Sequence, residues 1–267
     1  MSSDGKHASE RSLAYTLAFA ALVGVVASGV VGGTAVLLES RREANRLLDL
    51  RRHVLEVAGL TTRDERLARD DLERLFAERV HPVVVELSSG RAVLDVDPES
   101  FDQRRMSRDP AHSRPAPSNP ARVSRLPELA LVYHVMEDGD ELDVLILPFH
   151  GSGLWSTIYG FVALDSDLST VRGITFYEHG ETAGLGARIT EPEWRSLWVG
   201  RQAFDEGGTL RIRVVKGSAD PSSLHEVDGI SGATLTGSGV SAAVGFWLGS
   251  SGFGPYLERY RQDRGNS

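Results

Sequence analysis

The first 38 residues of the chain contain one long apolar segment. Residues 13–38 carry no charge and lie between Arg11 and Glu39. A helix of this length extends about 39 Å at ~1.5 Å per residue, which is enough to cross a hydrocarbon core of about 30 Å. A cleaved signal peptide has a shorter apolar region followed by a small-residue cleavage site, and a buried core helix rarely runs so long. The pattern therefore predicts a short tail at 1–12 and an uncleaved transmembrane helix at 13–38.

The helical periodicity continues beyond this segment and is rich in arginine. Apolar residues form one stripe over residues 39–58, and Gly59 is typical of a helix end. Positive charges are more frequent after the apolar segment than before it, with Arg41, Arg42, Arg46, Arg51 and Arg52 against Lys6 and Arg11. This bias favours a cytoplasmic C-terminal flank, but the rule is weak when a long domain follows. Composition alone therefore leaves the side of the membrane open.

A second amphipathic helix is predicted after Gly59. Thr62 and Glu65 have the spacing of a capping box, and the apolar positions that follow have a helical period through Val80. Pro82 is expected to end this helix. We interpret residues 39–96 as a helical juxtamembrane region that leads into the domain, with solvated charged faces.

The next segment, residues 97–127, has a loop composition. It holds six of the eleven prolines of the chain, with arginine, serine and aspartate between them. Such a composition buries little apolar surface. We expect a long and poorly ordered surface loop.

Short apolar runs typical of strands begin at residue 128. Leu129–Met136 and Leu142–Phe149 flank the turn-like residues 137–140 and predict a hairpin. Further strands are predicted at 159–164, 173–178, 210–215 and 225–228. Strands mixed with a few helices, without regular alternation, predict an α+β domain over residues 128–267, with a largely antiparallel sheet and packed helices.

The composition of the chain excludes several kinds of partner and binding site. The chain is 41% hydrophobic and 25% charged, with a formal net charge of -8 and no cysteine. Because the positive charges are not gathered into one patch, we do not expect the chain to bind nucleic acid. The absence of cysteine excludes disulfides, thiolate metal sites and iron-sulfur clusters held by this chain. Any redox chemistry must use an organic cofactor.

Three segments contain more small and polar residues than packing requires. His150–Ser156 and His179–Gly186 each follow a predicted strand, and Asp228–Thr236 precedes a helical run with Val240, Val244, Trp247 and Leu248 on one side. Taken separately, each segment is most simply a glycine turn or a helix N-cap. Small residues and hydroxyls beside the amides of a helix N-terminus nevertheless form a natural phosphate site.

Other known site patterns do not fit these segments. Gly184 and Gly186 lack the third glycine and the strand-helix-strand context of a dinucleotide fingerprint. Residues 229–233 end in alanine, where the nucleophile elbow of a serine hydrolase requires glycine. The histidines have no metal-ligand spacing, so His150 and His179 are expected to orient loops. We predict no metal site and no catalytic acid-base pair.

Residues 228–234, Asp-Gly-Ile-Ser-Gly-Ala-Thr, resemble the flavinylation motif of FMN-binding domains. Together with Gly-Leu-Trp-Ser at 153–156, Tyr-Gly-Phe at 159–161, Phe-Tyr-Glu-His-Gly-Glu-Thr at 176–182 and one N-terminal membrane helix, the chain resembles the C subunits of the Na⁺-translocating NADH:quinone reductases. The resemblance extends to about residue 59 and resumes at about residue 129.

The resemblance implies covalent FMN. In this family the last threonine of the motif, here Thr234, is esterified to the FMN phosphate by a Mg-dependent flavin transferase that uses FAD. A threonine hydroxyl is a weak nucleophile without an activating group, and Asp228 is the one obvious base in the motif. We therefore interpret Thr234 as a modification site. Gly232 and Ala233 would keep it accessible, and Ser231, Thr236 and the helix N-terminal amides would hold the phosphate.

The flavin ring requires a partly apolar slot with a few polar contacts. Trp155 and Leu185 are predicted as its walls, with Glu181, Thr182 and the amides of residues 184–186 on its polar edge. Trp194 and Trp198 are spaced as core residues of a helix. The full set of predicted cofactor-binding residues is Trp155, Glu181, Thr182, Gly184, Leu185, Gly186, Asp228, Ser231, Gly232, Ala233, Thr234, Leu235 and Thr236.

The family also implies a role and partners. The flavin would relay single electrons from the iron-sulfur side of the complex to the FMN of the B subunit and onward to quinone, while the complex exports Na⁺. The B, D, E and F subunits are the expected partners. Family topology places the flavin domain on the periplasmic side of a bacterial inner membrane, against the arginine bias.

The chain departs from the family pattern at one position. The family usually has proline where this chain has Ala183, a change that frees the backbone but removes no donor or acceptor.

Two alternative functions remain open at this point. The flavin subunit of the Rnf electron-transport complex shares the anchor and a similar threonine motif. A membrane-anchored sensor or structural domain without flavin would explain the anchor and the fold, but not three ligand-type loops.

Overall fold

The apolar segment forms the beginning of a long helix. In the computed structural model, which describes residues 13–62, 65, 67–137 and 141–265, helix α1 covers Leu13–Val57. Its part Tyr15–Gly33 has a mean hydropathy of 2.0 and is long and apolar enough to cross a membrane. Gly59 follows with a φ of 77°, and its amide donates to the carbonyl of Glu56, which closes the helix end. The predicted tail at 1–12 lies outside the described residues.

The chain divides into two compact units, Met1–Leu48 and Asp49–Ser267. In chain order the elements after α1 are α2 (Arg69–Arg79), β1 (Val80–Glu86), α3 (Gln103–Arg108), β2 (Ser113–Pro115), β3 (Arg125–Pro127), β4 (Leu129–Met136), β5 (Leu142–Ser152), β6 (Thr157–Asp165), β7 (Val171–Glu178), a 3-10 turn (Gly186–Thr190), α4 (Pro192–Ser196), β8 (Arg213–Val214), β9 (Glu226–Val227), α5 (Thr234–Leu248) and α6 (Gly254–Gly265).

A five-stranded antiparallel sheet is the framework of the second unit. Its strand order is β1-β4-β5-β6-β7, and every neighbouring pair is antiparallel. Side chains alternate between the two faces along each strand. On one face, Leu147 and Val162 pair across β5 and β6 and belong to the core cluster that includes Val244 of α5. The structure confirms the predicted α+β class with a largely antiparallel sheet.

The second face of the sheet packs against the end of α1 and against α2. The ring of Phe76 in α2 lies 6.3 Å from Tyr133 of β4, which lies 5.8 Å from Phe161 of β6, both edge to face. A Cβ atom at Gly173 of β7 would stand 3.0 Å from the carbonyl of Val57, so glycine lets the strand approach the helix end. Helices therefore cover both faces of the sheet.

The predicted hairpin is present, and other strand boundaries differ. β4 has the predicted bounds, whereas β5 continues to Ser152, so His150 lies in a strand and not in a loop. Within the predicted turn at 137–140, residues 138–140 lie outside the described residues. The strands predicted at 210–215 and 225–228 are reduced to β8 and β9, which pair in parallel over two residues each.

The prediction for residues 62–82 was wrong at both ends of the helix. Helix α2 begins at Arg69 with Ala68 as an N-cap that makes no side-chain hydrogen bond. Thr62 and Glu65 therefore do not open it, and the intervening residues 63 and 64 lie outside the described chain. At the other end, Val80 starts strand β1 and Pro82 lies within it. Proline is tolerated because β1 is an edge strand, where one amide needs no ladder partner.

Residues 97–127 are more ordered than their composition predicts. They contain α3 and the antiparallel pair β2 and β3. Asp102 caps α3 by accepting from the amides of Arg104 and Arg105. Leu126 is fully buried and joins the core. The expectation of a poorly ordered loop that buries little was wrong, because a few apolar residues between the prolines are sufficient to anchor the segment.

Candidate flavin-binding site

Glu181 draws the three glycine-rich segments together. Its carboxylate accepts hydrogen bonds from the backbone amides of Leu154 at 3.2 Å, Trp155 at 2.9 Å and Ser156 at 3.3 Å. The hydroxyl of Thr236 in α5 donates to the same carboxylate at 2.5 Å. One side chain therefore joins all three segments, and we call this arrangement the Glu181 clasp.

The clasp is buried and ionised at neutral pH. Glu181 is 7% exposed and Thr236 is fully buried. Burial by itself raises the pKa of Glu181, but the hydrogen bonds from Thr236 and the backbone amides outweigh it and lower the pKa below the ordinary value. A charged carboxylate held by several donors is a strong local constraint on loop geometry.

Glycine is required where the loops pass the clasp. A Cβ atom at Gly153 would lie 2.5 Å from Oε1 of Glu181, and one at Gly186 would lie 2.7 Å from Oγ1 of Thr236. Neither distance leaves room for a side chain. Gly153 and Gly186 therefore allow the three segments to approach one another.

Thr234 stands at the open N-terminus of α5. It is exposed and is the first residue of the helix, and the N-cap position, Ala233, makes no side-chain hydrogen bond. The first amides of a helix have no intrahelical acceptor and carry partial positive charge, so they attract an anion such as phosphate. Gly232 has a φ of 79°, a conformation that favours glycine. The residues present at this helix end fit a phosphate group.

Large apolar side chains are exposed around this helix end. They belong to the three joined segments and are Leu154 (47% exposed), Trp155 (70%), Leu185 (48%) and Leu235 (64%). A Cβ atom at Gly232 would lie 3.3 Å from Cδ2 of Leu185, which places this side chain against the motif. Exposed apolar groups that cluster beside polar loops are typical of a ligand or partner surface.

The start of the motif is fixed from two directions. Oδ1 of Asp228 accepts a hydrogen bond from the amide of Ala219 at 2.8 Å. The backbone carbonyl of Asp228 accepts a hydrogen bond from Nε1 of Trp194 at 2.9 Å. The amide of Gly229 donates to the carbonyl of Gly217 at 2.7 Å. Asp228 is thus a structural anchor of the motif.

The predicted site residues fall into two groups. Exposed at the surface of the joined segments are Trp155, Thr182, Gly184, Leu185, Ser231, Gly232, Thr234 and Leu235. Buried or partly buried beneath them are Glu181, Gly186, Asp228, Ala233 and Thr236. The sequence did not predict that Glu181 and Thr236 bond each other, nor that Trp194 contacts the motif, because both contacts join residues distant in the chain.

Trp194, Trp198 and His150 pack against other aromatic side chains. Trp194 and Trp198 are 6% and 0% exposed, as predicted for core residues. His150 lies between Tyr159 and Trp247, with ring centroids at 5.5 and 4.9 Å. Burial, followed by the nearby charge of Arg104, lowers the pKa of His150 to about 4. Among the described residues, no group of three or more His, Asp or Glu side chains is arranged to hold a metal ion.

The chain is similar to known flavoproteins. Residues 153–249 match the FMN-binding domain family. The chain is 43% identical to the C subunit of the Na⁺-translocating NADH-quinone reductase of Yersinia pestis, covering 98% of both chains, and 43% identical to that of Pseudomonas aeruginosa, covering 96% of this chain and 98% of the other.

Two solved structures have the same fold. The crystal structure of NqrC from Shewanella oneidensis has a TM-score of 0.76 and 36% identity, and covers 82% of this chain and 99% of the other. That of the C subunit from Parabacteroides distasonis has a TM-score of 0.64 and 26% identity, with coverages of 82% and 96%. The chain belongs to the family of the C subunits of the Na⁺-translocating NADH-quinone reductases.

Proposed function

We propose that this chain is the electron-carrying flavin subunit of a Na⁺-translocating NADH:quinone reductase and holds FMN through a phosphoester to Thr234. The observation that carries the proposal is the exposed Thr234 hydroxyl at the uncapped N-terminus of α5, within a segment that matches FMN-binding domains. FMN bound there supplies one-electron chemistry, and the protein positions it.

Attachment requires an external enzyme. Oδ1 of Asp228 accepts a hydrogen bond from the amide of Ala219, and we assign this carboxylate to anchoring the motif. Without an activating group the threonine hydroxyl is a weak nucleophile. A Mg-dependent flavin transferase would break the pyrophosphate bond of FAD, join the FMN phosphate to the Thr234 oxygen and release AMP and the hydroxyl proton. The exposure of Ser231 and Gly232 gives this enzyme access.

The protein would contact both ends of the cofactor. The amides that open α5, with Ser231, would hold the phosphate, and Trp155 and Leu185 would form apolar walls for the ring. Thr182 and the backbone of residues 184–186 would form its polar edge. Because the Thr236 hydroxyl donates to Glu181, we assign these two residues to holding the loops together and not to direct contact with the flavin.

A redox titration tests the electron-carrying role. The purified chain, loaded by the transferase, is expected to accept and release electrons in one-electron steps when its flavin absorbance is followed against potential. Free FMN titrated in the same cell is the control. A single two-electron step in the protein, identical to that of free FMN, would contradict the proposed relay.

The proposed complex also contains the B, D, E and F subunits. In it this chain would receive electrons from the iron-sulfur side and pass them to the FMN of the B subunit and then to quinone. The relatives from Yersinia pestis and Pseudomonas aeruginosa are C subunits of this reductase, which favours this complex over the Rnf complex. A sensor domain without flavin does not account for the match to FMN-binding domains.

We further propose that α1 anchors the chain in the inner membrane with the flavin domain on the periplasmic side. The absence of cysteine makes a single introduced thiol unambiguous. Ser222→Cys, at an exposed position, is expected to react with a membrane-impermeant maleimide in intact cells. Ser3→Cys, before the apolar segment, should react only after lysis. The reverse labelling pattern would contradict the proposed orientation.

A further inference from the structure

Trp194 of the short helix α4 contacts the segment that contains Thr234. Its side chain is 6% exposed, and Nε1 donates to the carbonyl of Asp228 at 2.9 Å. The ring lies 6.1 Å from that of Phe176 and 5.7 Å from that of Trp198. Since these neighbours restrict the indole, its hydrogen bond fixes the residue at which the flavin motif begins.

Arg195, the next residue, contacts the end of α1. Its Nη1 lies 2.6 Å from Oε1 of Glu56, and its Nε donates to the carbonyl of Ile174 in β7 at 2.7 Å. The two charged side chains are only 15% and 10% exposed. Burial raises the pKa of Glu56, but hydrogen bonds with His53 and Arg195 outweigh it and lower the pKa to about 2. The pair is therefore charged at neutral pH.

We propose that α4 couples the end of the membrane helix to the flavin motif, with Trp194 and Arg195 as positioning residues for Thr234. The contacts run from Glu56 to Arg195, through the adjacent Trp194 to Asp228, and along the motif to the start of α5. A displacement of the end of α1 would therefore shift the residue that carries the cofactor. The functional meaning of this coupling rests on the proposed attachment at Thr234.

The ion pair between Glu56 and Arg195 is better suited to positioning α4 than to stabilising the fold. A well-packed apolar pair is often as stabilising as a buried ion pair, because the charges must be desolvated. A buried arginine with directed donors instead fixes orientation, since its planar guanidinium bonds two acceptors in a defined geometry. In this chain the two acceptors are the carboxylate of Glu56, in the last turn of α1, and the carbonyl of Ile174, in the edge strand β7.

Hydrogen exchange on the full-length chain in detergent, compared among variants, tests the coupling. Glu56→Gln removes the charge that holds Arg195, and Trp194→Phe removes the N–H group while keeping an aromatic ring. Both are expected to speed exchange about fivefold at the bonded amides of Gly229, Ala233 and Gly237. Amides in the centre of β5 should change less than about twofold, because global stability would move them together.

Glu193→Gln is the matched control. Like Glu56→Gln, it replaces a carboxylate with an amide. Because Glu193 is an exposed residue of α4, exchange in the motif should match that of the wild-type chain. The transferase should also load Glu56→Gln and Trp194→Phe more slowly than Glu193→Gln. Unchanged exchange in the motif, or equal acceleration in β5, would overturn the coupling. A wild-type chain that takes no covalent flavin would refute the proposed function, while the exchange pattern would still decide the coupling.

Discussion

Thr234→Ala is expected to abolish covalent flavin completely. The chain, produced with a flavin transferase and denatured on a gel, should lose all flavin fluorescence, because the esterified hydroxyl is gone while the loop geometry is retained. The side chain is exposed, so the substitution should change the free energy of unfolding by less than about 0.5 kcal/mol. Loss of flavin would then reflect chemistry and not misfolding.

Two variants make this result specific. Thr234→Ser keeps a hydroxyl at the same position and should retain fluorescence on the denatured band. Ser238→Ala removes another exposed hydroxyl one turn further along α5 and should remain as fluorescent as the wild-type chain. Fluorescence that persists in Thr234→Ala would show that another residue carries the flavin.

Glu181→Gln is expected to loosen the whole site. The carboxylate accepts from three backbone amides and from Thr236, and a glutamine would turn an NH₂ group toward some of these donors. Hydrogen bonds to a buried charged group are worth roughly 1.5–3 kcal/mol, so we expect a loss of about 2–3 kcal/mol in the free energy of unfolding. Denaturant unfolding measures it, and flavin loading should fall in parallel.

The pH dependence of this variant gives a second readout. The pKa of Glu181 is lowered in the folded chain from its ordinary value of 4.5, so the clasp stabilises fully above about pH 4.5 and weakens as pH falls through the lowered pKa. Glu181→Gln should therefore lose part of the acid sensitivity of the wild-type chain. Glu191→Gln, in a half-exposed pair with Arg188, is the control and should stay within about 1 kcal/mol. Equal stability of the two variants would refute the clasp.

The sheet and the motif could be predicted from the sequence because both depend on local patterns. Leu129–Met136 is a short apolar run that ends at turn-like residues, and its strand has the predicted bounds. The run with Val240 and Val244 forms the buried side of α5. Thr234 was predicted as the attachment site because residues 228–234 resemble the flavinylation motif of FMN-binding domains, and this assignment stays a prediction.

Contacts between distant residues could not be predicted in this way. Strand β1 was missed because Pro82 indicates a helix end in a local reading, whereas only the pairing with β4 shows that it occupies an edge. The role of Glu181 depends on three backbone amides, which leave no trace in residue types. Trp194 has core spacing in the sequence, and its bond to Asp228 is visible only once the fold brings them together.

Mass spectrometry of the wild-type chain tests the central proposal most directly. Cleavage after lysine and arginine releases residues 217–259 as one peptide, because the sequence has neither residue between Lys216 and Arg259. After loading by the transferase, this peptide should gain the mass of one FMN esterified with loss of water, and fragmentation should place it on Thr234. An unmodified peptide, or FMN on Ser231 or Thr236, would contradict the proposed site.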